Sequence, residues 1–107
     1  MDLILLEMKM TRIVIDGGFG EHFRLSDAAV QLYEELSGST LDNHADIDRS
    51  DPILLQVVDT LGLRNAEGPD CMFCIVEVAA GTRYCIITDD VLPEYVVTEF
   101  DLDKVAT

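Results

Sequence analysis

The sequence predicts an α+β fold: two helices packed on one face of a mostly antiparallel sheet of three to five strands, in the order β-α-α-β-β-β. Three observations predict it. One helix is capped at both ends, a second amphipathic stretch opens on a serine cap, and the C-terminal third is a series of β-rich apolar runs broken by turn residues.

The best specified element is IDRSDPILLQVVDTLG, residues 47–62. Asp51 or Ser50 supplies a short side-chain oxygen for an orphan N–H, and Pro52 sits at the first helical position, where its missing N–H costs nothing. Ile53, Leu54, Val57, Val58 and Leu61 then recur at a 3.6-residue period, and Gly62 stands where a C-terminal cap is needed. The other helix runs from Asp27 to about Leu36 behind Ser26. Leu25, Ala28, Ala29, Leu32, Tyr33 and Leu36 form its apolar stripe, and Ser37-Gly38 stops it.

The first strand is TRIVID, residues 11–16, β-branched and alternating, and Gly17, Gly18 and Gly20 end it. Residues 39–50 are polar and read as an exposed loop; residues 64–70, RNAEGPD, read as a turn-rich connector. CMFCIVEV, residues 71–78, is apolar at nearly every position, as in a strand covered on both faces. Ala80-Gly81 then turns the chain, and TRYCIIT, residues 82–88, is expected to return as its hairpin partner. Asp89-Asp90 with Pro93 makes the next turn, YVVTEF, residues 95–100, is a third β run, and residues 101–107 form a charged tail.

One domain accounts for 107 residues, about half of them apolar. No apolar run is long enough to span a bilayer, and the acidic N-terminus lacks the marks of a secretory signal, so a soluble protein of the cytoplasm is expected. Met8 and Met10 are alternative starts, and residues 1–9 read as an extension of a shorter protein.

Charge selects partners. Twenty-one acids against seven bases give a formal −14, which repels phosphate and anionic membranes and attracts cationic surfaces. The expected partner is therefore a protein with a basic surface, with no direct nucleic acid and no membrane. The residues expected to meet it are Asp42, Asp46, Asp48 and Asp51 in the loop, and Asp89, Asp90, Glu94, Glu99, Asp101 and Asp103 near the C-terminus. An exposed strand edge also admits a homodimer.

Catalytic and cofactor chemistries find no support. The glycine loop has neither G-x-G-x-x-G nor G-K-[ST], and Asp16, Glu21 and Asp27 surround the place a phosphate would take. Cys71, Cys74 and Cys85 with His22 or His44 have the number of ligands for zinc. However, Cys71 and Cys74 are three apart on a strand and point to opposite faces. The three thiols are expected to be reduced and buried, and neither histidine looks like more than a surface residue. The acidic loop fails the calcium pattern, with Asp51 where glycine is needed and Val57 where glutamate is needed. No nucleophile signature is present. The expected protein is not an enzyme and carries no cofactor or metal.

The combination of TRIVIDGGF, RLSDAAVQLY, DRSDPILLQVVDTLG, IVEV and the acidic aromatic ending resembles a family of small proteins frequent in tailed-bacteriophage genomes. Its pattern runs strand–GGF–LSxEAxELY, then RxDPxLVxVVEELG, then LxIVEIP. The likeness covers residues 11–100, and Asp51-Pro52 is its most specific part. Members commonly begin near Met10, and residues 17–24 align in more than one register, so no residue there inherits a role. The resemblance implies phage origin and expression in a bacterial host cytoplasm; it transfers no catalytic residue. Three function classes follow. The first is an accessory protein that binds a host protein, as a DNA-mimic-like inhibitor of a nucleic-acid-binding or defence factor. The others are a binder of a nucleotide signal and a self-assembling virion protein.

Overall fold

The computed structural model describes residues 9–18, 22–88 and 93–101. The expected α+β architecture is present, as strands and helices in the order β1 (Met10–Asp16), α1 (Asp27–Ser37), α2 (Pro52–Leu61), α3 (Leu63–Ala66), β2 (Phe73–Ala79), β3 (Tyr84–Ile87) and β4 (Tyr95–Thr98).

The two main helices form where their caps are. The Ser26 side chain accepts from the Ala29 N–H and the Asp51 side chain from the Ile53 N–H, while Pro52 opens α2. Gly38 at φ +76° and Gly62 at φ +86° end the helices in backbone conformations that a side chain would strain. The acidic loop between them contains a short 3-10 turn, His44–Asp46. The connector at residues 64–70 is not simply a turn, because its first residues belong to one further helical turn, Leu63–Ala66.

The β1–β2 ribbon is antiparallel and pairs Met10 with Ala79 through to Asp16 with Phe73. Alternation gives it two apolar faces. Val14, Phe73 and Ile75 face the helices, joining Leu25, Ala29, Leu54, Val57 and Val58. Ile13, Ile15, Val76 and Val78 face the other way, against Tyr84, Ile86 and Val96 of the second ribbon, β3–β4. Helices, first ribbon and second ribbon are thus stacked in three layers. This explains why residues 71–78 are apolar at both parities.

One expectation is corrected. The strands form two two-stranded sheets, β1 with β2 and β3 with β4, and residues 82–88 are not the hairpin partner of β2. At the turn, Thr82 N–H donates to the Ala79 carbonyl and Gly81 sits at φ +89°, carrying the chain out of the first ribbon's plane. In-plane pairing would leave Ile13, Ile15 and Val78 uncovered, and burial of that face decides the topology. Among the described residues, no helix is long and apolar enough to cross a membrane.

Candidate functional site

The most tightly built polar feature lies along the outer edge of β1. The Val14 N–H donates to the Arg49 carbonyl at 2.9 Å, and the Asp16 N–H donates to Glu94 Oε1 at 2.7 Å. The Glu94 N–H returns to the Asp16 carbonyl at 3.0 Å. Arg49 grips Glu94 through two bonds, of 2.7 and 3.0 Å, and also donates to the Val14 carbonyl. Its guanidinium lies 3.7 Å above the Phe23 ring, which is stacked on Phe73. The clamp joins two loops to one strand and commits three of the five Arg49 guanidinium N–H groups to contacts within the fold.

Asp16 is a buried charge, only 3% exposed. Its Oδ1 accepts from the Gly18 and Met72 N–H groups, both at 2.9 Å, so the carboxylate pins the start of the glycine loop to the turn before β2. Beside it, the Cys71 thiol donates to the His22 carbonyl. Burial pushes the Cys71 thiol up, and the charge of Asp16 adds to that, outweighing backbone hydrogen bonding at Arg24. A thiol held protonated in this way is a poor nucleophile.

The thiols do not share one environment. Cys71 is buried, Cys74 half-buried and Cys85 exposed, so the expectation that all three are buried fails for Cys85, which points away from both cores. His44 is not a bare surface residue either. Its Nδ1 accepts from the Leu25 N–H at 2.9 Å, and burial together with the repulsion of Arg24 lowers its pKa. His22 is exposed. Among the described residues, no three of His, Cys, Asp and Glu come close enough to hold a metal ion.

The acids expected to meet a partner separate into three groups. Asp42, Asp46 and Asp48 are exposed along the loop, and of these Asp48 also accepts from Ser50. Asp51 caps α2 and receives the Tyr33 hydroxyl at 2.6 Å; Glu94 is committed to Arg49 with 12% exposure. Both are removed from any exposed patch, because each satisfies a donor within the fold. Glu99 accepts from the Arg83 N–H and lies 3.8 Å from its guanidinium, and Asp101 accepts from the Thr98 N–H and hydroxyl. Asp89, Asp90 and Asp103 lie outside the described residues.

The bases are disposed very differently. Among the described residues, four of the chain's seven basic side chains are held in ion pairs: Arg12 with Asp59, Arg49 with Glu94, Arg64 with Glu67 and Arg83 with Glu99. Asp27, Glu35, Asp42, Asp46 and Asp70 are exposed with no ion pair among the described residues. Asp27, Glu35 and Asp70 were not among the acids expected from the sequence to meet a partner. No local pattern separates a solvated carboxylate from one drawn inward to an arginine. No protein-family model, curated protein or solved structure matches this chain.

Proposed function

We propose that this chain is a small, non-enzymatic accessory protein of phage origin, working in the host cytoplasm by binding a host protein through that protein's basic surface. In this reading it competes with nucleic acid for a nuclease, polymerase or defence factor, as a DNA mimic does. One observation supports this most. The chain's cations are largely engaged within the fold, while Asp27, Glu35, Asp42, Asp46 and Asp70 are left to solvent on a molecule of charge −14. Such a surface speeds encounter with a cationic partner and rejects anionic ones.

The test is capture from bacterial lysate on the immobilised chain. A basic protein should be retained at low ionic strength and released by added salt, because exposed charge pairs are screened within about 10 Å at 0.1 M salt. The double variant Asp42→Lys/Asp46→Lys should retain less. Recovery of no basic protein at low salt, or capture indifferent to salt, contradicts the proposal.

A further inference from the structure

The geometry points to the outer edge of β2, at Ile75 and Glu77, as the place where an extended basic segment of the partner adds as a third strand. This rests on the proposed binding of a basic partner and specifies how the partner docks.

Hydrogen-bond alternation identifies the edge. The Gly17 N–H donates to the Met72 carbonyl and the Ala80 N–H to the Lys9 carbonyl, which places the bonded pairs of the ribbon. The residues between those pairs turn their N–H and C=O outward: Arg12, Val14 and Asp16 on β1, and Phe73, Ile75 and Glu77 on β2. Phe73 is covered, its N–H donating to Glu67 Oε1 at 2.8 Å and its carbonyl accepting from Arg64 at 2.6 Å. For Ile75 and Glu77, no hydrogen bond is made on that side among the described residues. Unpaired main-chain groups in a row are a template for another strand.

Charge decides the occupant. Glu77 is exposed on this edge; Arg12, its neighbour across the ribbon, feels its charge but is bonded to Asp59, by two 2.8 Å bonds. Both edges carry a paired arginine. Arg64 beside Phe73 is 57% exposed and held to Glu67 at 3.4 Å. Arg83 on the approach to β3 is 88% exposed and paired with Glu99 only at 3.8 Å, so the approach to β3 is the more cationic. A second copy of this chain would bring another −14 to the contact. An extended segment alternating Lys or Arg with a β-branched residue fits best. The cation lies beside Glu77, and the apolar side chain extends the half-buried surface of Val76 on the opposite face.

The test titrates the isotope-labelled full chain with the capped peptide Lys-Val-Lys-Val-Lys, reading each amide's shift and its exchange with solvent. Saturating peptide should slow exchange at Ile75 and Glu77 by roughly tenfold or more and leave Val14 and Asp16 unchanged, since strand addition hydrogen-bonds only the outward amides of β2 and those two already have partners on the β1 edge. Glu77→Pro removes an outward N–H that the fold does not use and should abolish the effect. The peptide Lys-Val-Pro-Val-Lys tests the same point on the unaltered protein and should not protect these amides. Peptide that perturbs only residues 42–48 overturns strand addition and leaves the basic-partner reading intact. If neither this peptide nor polylysine perturbs any amide at low salt, both fall. Protection of Ile75 and Glu77 that grows with protein concentration, without peptide, assigns the edge to a second copy and overturns the proposal.

Discussion

The β1–β2 ribbon has two long edges, finished in different ways. Along β1, the outward groups of Val14 and Asp16 meet the Arg49 carbonyl, the Arg49 guanidinium and both the carboxylate and the N–H of Glu94. Along β2, only Phe73 is covered, by Arg64 and Glu67, and Ile75 and Glu77 have no such partner among the described residues. A fold with charged side chains and loops to hand closes the Val14–Asp16 stretch of one edge with them, while the main-chain groups of Arg12 on that edge and of Ile75 and Glu77 on the other have no such partner among the described residues. The acids of this chain thus do two jobs. Asp16, Asp51 and Glu94 hold the scaffold, while Asp42, Asp46 and Glu77 remain outside it.

Substitutions at the closed edge should have the largest effects. Arg49→Ala leaves the Glu94 carboxylate nearly buried and unpaired, uncovers the Phe23 ring and frees the Val14 carbonyl. A loss of about 3–5 kcal/mol is expected in urea unfolding, and replacing both partners with apolar residues of similar volume should recover much of it. A loss below about 1 kcal/mol would show that the clamp is incidental.

Asp16→Ala comes next. It strands the Gly18 and Met72 N–H groups beside the glycine loop and should cost about 1–3 kcal/mol. Asp16→Asn keeps an oxygen for both donors and should lose less. Amide exchange at Gly18 and Met72 reads the difference, rising sharply in the alanine variant only.

Acid reaches the same edge through the loop that carries Arg49. His44 must be unprotonated at Nδ1 to accept the Leu25 N–H, and burial and then Arg24 hold its pKa below 6.5. The unfolded chain therefore binds the proton more readily. Stability from this group is fully present above 6.5 and is lost as the pH falls through the lower folded value. Unfolding midpoints should drop across that window in the native chain. His44→Gln, which cannot titrate, should remove that part of the slope; an unchanged slope sets His44 aside.

The smallest effects belong to the open edge and the exposed surface. Glu77→Thr should change stability by no more than about 0.5 kcal/mol, because the exposed carboxylate makes no ion pair among the described residues and only attracts the solvent-screened Arg12 across the ribbon. Arg12→Ala loses an exposed pair with Asp59 and should cost about 0.2–1 kcal/mol despite its two good bonds, since solvent screens it. A larger loss at Glu77 would mean that the β2 edge is already in use.

The helices were legible because their signals are local. Ser26, Asp51-Pro52 and Gly62 each state a boundary within a few residues, and the structure places the ends there. The strand pairing was less so. Alternation identifies which residues share a face, and it is silent on which strand lies alongside. Covering Ile13, Ile15 and Val78 requires a second layer, and that is a property of the whole chain. The clamp left no sign in the sequence, since Arg49 and Glu94 are 45 positions apart and each sits in a stretch that reads as solvated loop. Composition counts Glu94 and Asp42 alike, whereas burial and the nearness of an arginine separate them.

The contrast between the edges is tested most directly by residue-resolved amide hydrogen exchange on the free full-length chain at low protein concentration. Val14, Asp16 and Phe73 should exchange slowly, through opening of the fold, whereas Ile75 and Glu77 should exchange orders of magnitude faster than their neighbours Val76 and Val78. Equal protection along both edges would contradict the account.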